Sequence, residues 1–268
     1  MMQGLLPLVG LILGPILIVV PLGLIIGARW SWQTAKSKGR TERSFLGHFF
    51  SGEGRGFIPK EETFEGLLAR SNPWCFITLI IITLNVLIFI AMALSGSLLS
   101  TLLDPEIEQL LLWGANYGPL TIRGEWWRLL SSTFLHAGFL HLFFNMLFFW
   151  VLGNYAERMF GNLTFLMLYA LSGLGGSVAT LLWNPNVVSL GASGAILGVT
   201  GATAMFLLLQ KPHIKRAAQK SNLLIMLAYL GYNFAFGFGK SGIDNAGHLG
   251  GLFVGIAIGR GLYRPLQG

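Results

Sequence analysis

IDNAGHLGGLFVGIAIG, residues 243–259, decides how this chain folds. Gly247, Gly251, Gly255 and Gly259 recur at every fourth position of an otherwise apolar run. On a helix they form one stripe, the small-xxx-small pattern that lets two membrane helices approach backbone to backbone. A matching face lies in VVSLGASGAILGVTGATAM, residues 187–205, where Gly194, Gly198 and Ala202 repeat with the same spacing. The two faces are expected to pack together. Each has a polar residue at its border, His248 on one and Ser193 on the other.

Composition sets the medium in which that packing occurs. Apolar residues make up 53% of the 268-residue chain, charged ones only 11%, and the mean hydropathy is +0.65, whereas soluble domains carry about 25% charged residues. The chain therefore reads as an all-α polytopic membrane protein. Hydrophobic runs long enough to cross about 30 Å of hydrocarbon occur near 5–27, 74–96, 134–152, 162–183, 190–210, 222–238 and 244–262. With the N-terminus outside, 15 of the 18 Lys and Arg residues fall on the inner side, as the positive-inside rule requires. The net charge of +7 is thus topogenic, and no nucleic-acid partner is expected. Arg29 follows the first run and no basic residue precedes it, the reverse of a secretory signal, so residues 1–28 read as a retained extra helix. Residues 29–71 read as a cytosolic linker and 72–268 as one compact helical core. The single Cys75 excludes an intramolecular disulfide framework.

Polar side chains within the apolar runs are the candidates for function, because their presence in a bilayer is costly. In HAGFLHLFFNM, residues 136–146, His141 and Asn145 stand four apart and share a helix face. His136, five before His141, is expected about 140° away around the helix. The connection 97–133 carries Trp113, Tyr117, Trp126 and Trp127 among Leu and Ile, the composition of a segment lying in the membrane interface. If the glycine faces pack, the Ser193 hydroxyl comes within reach of the His248 imidazole, a nucleophile beside a base. His141, Asn145 and the Ser193 backbone N–H would then supply donors to an oxyanion. The same residues are also compatible with helix packing, an interhelical hydrogen-bond clamp or a proton relay. No His-Glu-x-x-His motif or Cys cluster occurs, and no cofactor or metal is implied. Asp244, one turn before His248, reads as a helix cap rather than a triad acid.

The pieces GANYGPL (114–120), the Trp127-Arg128 pair, HAGFLHLFFNM, GNYAERMFG (153–161), YALSGLGGS (169–177), GASGAILG (191–198) and AGHLGG (246–251) occur in an order that resembles the rhomboid intramembrane serine proteases across about residues 74–262. The resemblance implies a six-helix core, with the first helix an addition to it. It implies Ser193 as nucleophile and His248 as its base, with His141 and Asn145 at the oxyanion. Gly191, Gly194 and Gly251 then give room around that pair, Trp127-Arg128 belong to a loop partly in the membrane, and Glu157 has a structural role at an inner helix end. Where family members often carry an aromatic one turn after the serine, this chain has Leu197. The implied partners are the lipid bilayer and the transmembrane segments of other proteins, cut near their outer ends. A bacterial plasma membrane is the expected location. The alternatives are a catalytically silent relative that binds or escorts transmembrane clients and, more distantly, a proton-coupled transporter. The oligomeric state has no signature in the sequence.

Overall fold

The structure is a computed structural model that describes residues 72, 74–209, 226–231, 233 and 244–263. The apolar run 5–27 and the connection 29–71 lie outside the described residues. The described chain is helical: α1 (Ile77–Ser95), four short helices α2 (Leu98–Leu103), α3 (Ile107–Trp113), α4 (Gly118–Thr121) and α5 (Arg128–Ser131), then α6 (Phe139–Phe160), α7 (Asn162–Trp183), α8 (Ser193–Leu208) and α9 (Asn245–Gly261). Residues 226–231 are also helical. By length and composition α1, α6 and α7 can cross a membrane, so the chain is an integral membrane protein of the helical-bundle class.

Glycine packing sets the arrangement of the last helices. A β-carbon on Gly251 would meet the Gly194 carbonyl, one on Gly255 the Gly198 carbonyl, and one on Gly259 the Ala202 backbone at 2.6 Å. The three contacts advance by four residues on both helices, so α8 and α9 run side by side in the same direction. Helix α7 completes the trio: a β-carbon on Gly176 would come within 2.7 Å of the Gly247 carbonyl. Lipid offers no hydrophobic drive for helix association, and close van der Waals approach takes its place.

A second device joins α6 to α1. Glu157 Oε1 accepts from the backbone N–H groups of Phe76 (2.8 Å) and Ile77 (2.7 Å), and Oε2 accepts from Thr78 N (2.9 Å) and Thr78 Oγ1 (2.7 Å). No side chain of α1's own N-cap residue does this work. A carboxylate from another helix therefore satisfies the orphan donors at the start of α1 and suits the positive end of its dipole. Its role is structural, as the motif implies. Gly161, with φ +82°, turns the chain directly from α6 into α7.

Two expectations change. Helix α6 starts later than the run 134–152, at Phe139, because Gly138 adopts φ +93° and breaks the chain from the preceding 3-10 turn, Ser132–Phe134, and it ends later, at Phe160, where Gly161 takes φ +82°. His136 consequently lies before the helix, and a helical angle to His141 has no meaning for it. Its ring is fully buried and sits 5.1 Å from that of His141, edge to face. Trp113, expected at the interface, is 2% exposed and turned inward, where it packs with Ile88, Met92, Leu110 and Leu135 and donates from Nε1 to Ser95 Oγ. Trp126 and Trp127 do remain outward.

Candidate functional site

Ser193 is the first residue of α8, and its backbone N–H, like the others of the first turn, has no acceptor within the helix. His248 is one turn into α9. The Gly194–Gly251 approach sets these two helices so close that Ser193 Oγ lies 2.7 Å from His248 Nε2. His248 Nδ1 has no hydrogen-bond partner among the described residues.

Asp244 does not approach that nitrogen. It caps α9, with Oδ1 accepting from Gly247 N at 2.8 Å. Its other oxygen accepts from Ser189 Oγ at 2.5 Å and from Thr180 Oγ1. The cap thus ties the start of α9 to α7 and to the loop that leads into Ser193. Ser189 is itself anchored by paired backbone hydrogen bonds with Asn116.

Helix α6 supplies the opposite wall. His141 Nδ1 accepts from Ala137 N at 3.3 Å, which leaves Nε2 as the protonated nitrogen. Gly191, at φ +118°, runs between this imidazole and the serine: a β-carbon there would lie 3.1 Å from His141 Nε2 and 3.7 Å from Ser193 Oγ. Glycine is needed twice, for its backbone conformation and for the space it leaves. Asn145 is 1% exposed and donates from Nδ2 to the His141 carbonyl at 3.1 Å, which leaves one N–H of the amide uncommitted by that contact.

These groups open on a cavity of about 430 Å³ lined by Ser132, Thr133, Gly173, Gly176, Ser177, Ser189, Gly191, Ser193, Gly194 and Asp244, with His141, Asn145 and His248. Hydroxyls and glycines in a membrane bundle make a space that water can enter. The structure brings Ser193, His248, His141, Asn145, Gly191 and Gly194 to this cavity. Gly251 acts behind it as the helix contact, and Leu197 is fully buried in the core. Trp127 and Arg128 do not line it. Arg128 donates to the carbonyls of Leu111 (2.6 Å) and Ala115 (3.0 Å), pairs with Glu125 at 2.7 Å and lies over the Trp127 ring, so this pair fixes the loop between α3 and α5. Among the described residues no group of His, Cys, Asp and Glu could hold a metal ion.

Sequence reasoning missed three contributors. The Ser189 and Thr180 partners of Asp244 come from a loop and another helix, where no spacing rule reaches. Tyr229 is fully buried with its hydroxyl 3.3 Å from Asn145 Oδ1 and 3.4 Å from the Ser193 carbonyl. Its only sequence signal was a phenol within an apolar run.

The chain is similar to proteins named as rhomboid proteases. Rhomboid protease GluP of Bacillus subtilis is 38% identical over 191 residues, 71% of this chain and 36% of that protein. Rhomboid protease AarA of Providencia stuartii is 31% identical over 203 residues, 68% of this chain and 70% of that protein. Putative rhomboid protease YdcA of Bacillus subtilis is 37% identical over 146 residues, 54% of this chain and 70% of that protein. The chain thus spans little more than a third of GluP and about seven tenths of the other two. Residues 123–265, which include the serine, the imidazole and the wall of α6, match the Rhomboid domain, and the chain belongs to the rhomboid family.

Proposed function

We propose that this chain is an intramembrane serine endopeptidase that cuts transmembrane segments of other membrane proteins near their outer ends with a Ser193–His248 dyad. The observation that carries the reading is the 2.7 Å contact between Ser193 Oγ and His248 Nε2 at a hydroxyl-lined cavity. A serine hydroxyl needs a base to become a nucleophile, and neutral imidazole serves. Oγ attacks the scissile carbonyl carbon while His248 Nε2 takes its proton. Negative charge develops on the carbonyl oxygen, toward which His141 Nε2–H, Asn145 Nδ2–H and the Ser193 N–H are donors. The imidazolium returns the proton to the departing amine, leaving an acyl enzyme. Water, deprotonated by the same imidazole, then hydrolyses that ester. Substrate helices must unwind to present a bond, so Gly, Pro or Ser near the cut and a small residue at it are favoured.

Residues 72–268 form the catalytic core in this reading, 1–28 an extra transmembrane helix and 29–71 a cytosolic linker, with the N-terminus outside a bacterial plasma membrane. The deciding experiment treats purified protein with a fluorophosphonate probe and maps the adduct by mass spectrometry. Stoichiometric labelling at Ser193 is expected. A folded protein that resists labelling and still binds transmembrane segments would make this chain a silent escort.

Two substitutions examine the roles. Asn145→Ala removes one oxyanion donor and leaves His141, so kcat is expected to fall about 10²-fold, the lower end for such donors, with KM little changed. Steady-state kinetics on a transmembrane substrate decide it, and a change in KM alone would move Asn145 to substrate recognition. Asp244→Asn keeps an oxygen for the Gly247 N–H, and the Ser189 and Thr180 hydroxyls can turn to face an amide. Most activity is expected to survive, whereas a triad acid replaced by Asn can lose about 10⁴-fold through the wrong tautomer. A loss on that scale in well-folded protein overturns the dyad.

A further inference from the structure

We propose that Tyr229 is a positioning residue that holds the Asn145 amide with its N–H toward the cavity; this rests on the protease reading above. The two ends of an Asn side chain are nearly equal in shape, yet only the nitrogen can donate to an oxyanion. The contacts around Asn145 distinguish the ends. Nδ2 gives one hydrogen to the His141 carbonyl at 3.1 Å, and Oδ1 receives the Tyr229 hydroxyl at 3.3 Å. A turned amide would set its oxygen against the oxygen of the His141 carbonyl. With both contacts in place the second Nδ2 hydrogen is the one left for the cavity. The phenol's single hydrogen is shared between Asn145 Oδ1 and the Ser193 carbonyl, 3.4 Å from the hydroxyl, so one bridging hydroxyl links the donor on α6 to the first turn of the helix that carries the nucleophile. The Tyr229 ring is fully buried and packs at 4.9 Å against Phe148, one turn beyond Asn145 on α6. That ring contact orients the phenol independently of its hydroxyl, and it is retained by phenylalanine.

Full-length Tyr229→Phe, Asn145→Ala and the double variant are compared with wild type for cleavage of a transmembrane substrate. Tyr229→Phe alone is expected to lower kcat about tenfold, equivalent to about 1.4 kcal/mol, with KM and thermal unfolding essentially unchanged. In the Asn145→Ala background the same change should have no further effect, because the group it positions is gone. An equal loss in both backgrounds, a wild-type kcat for Tyr229→Phe, or an effect on KM alone overturns the proposal. A readout free of turnover keeps it separate from the protease reading. In protein carrying ¹⁵N-asparagine, the Asn145 side-chain amide signals, assigned by their loss in Asn145→Ala, are expected to move in Tyr229→Phe. Unmoved signals overturn the proposal whether or not the protein cleaves or is labelled by a fluorophosphonate.

Discussion

Ser193→Ala is expected to abolish cleavage of a transmembrane substrate by the pure protein, a loss on the order of 10⁶-fold, the scale on which removing a serine nucleophile acts. Four serines line the cavity, and their partners separate them. Ser132 and Ser177 face one another at 3.5 Å, and Ser189 donates to Asp244. Among the described residues only Ser193 has an imidazole within hydrogen-bond reach. The substitution should leave the fold intact, because Ser193 is placed by the neighbouring Gly194 contact and by α8, and the lost hydroxyl forfeits only about 1 kcal/mol of hydrogen bonding. Thermal unfolding near that of wild type, together with absent proteolysis, is the expected pair of results. Substantial cleavage by well-folded Ser193→Ala protein would remove the nucleophile from Ser193.

The path from sequence to site was legible where one physical constraint dominated a short stretch. Glycine at every fourth position fixes a helix face, and in lipid such a face has few uses other than close approach, so the α8–α9 contact and the Ser193–His248 meeting could be read from spacing. Asp244 was legible as a cap because its bond closes within three residues. What needed coordinates depends on backbone excursions or on side chains from remote elements. Gly138 ends one segment and opens α6 in the middle of an apolar run, where hydropathy has no break, so His136 was assigned to a helix it does not join. Trp113 could not be told from its interfacial neighbours, since an amphipathic ring suits either place. Its choice follows from Ser95, 18 residues earlier, offering an acceptor. Tyr229 and Thr180 act across helices, and nothing in their own segments announces what they meet.

Gly255→Val is the harshest examination of the idea that helix packing, two turns from the chemistry, sets the distance between Ser193 and His248. The β-carbon alone would overlap the Gly198 carbonyl, and the contact is backbone against backbone, so no flexible side chain can give way. Helices α8 and α9 must separate or slide. Because the contacts at Gly194–Gly251 and Gly198–Gly255 belong to one register, a displacement at the second propagates to the first, one turn from His248. A misplacement of about 1 Å can cost roughly 10²-fold, and full loss of the 2.7 Å contact also removes general-base help worth about 10²–10⁴. Turnover is therefore expected to fall by about 10³-fold or more, and overpacking should destabilise the bundle by about 1–3 kcal/mol. Gly255→Ala, with the same clash but less bulk, should fall between wild type and valine in both activity and unfolding temperature. Gly261→Ala is the control, since a β-carbon there meets nothing within 4 Å, and it should retain activity. Fluorophosphonate labelling rates across the series separate a lost dyad from lost substrate binding: labelling should slow in step with turnover. A Gly255→Val protein that labels and cleaves like wild type would show that the register of α8 against α9 does not place the base, and that another contact holds His248 on Ser193.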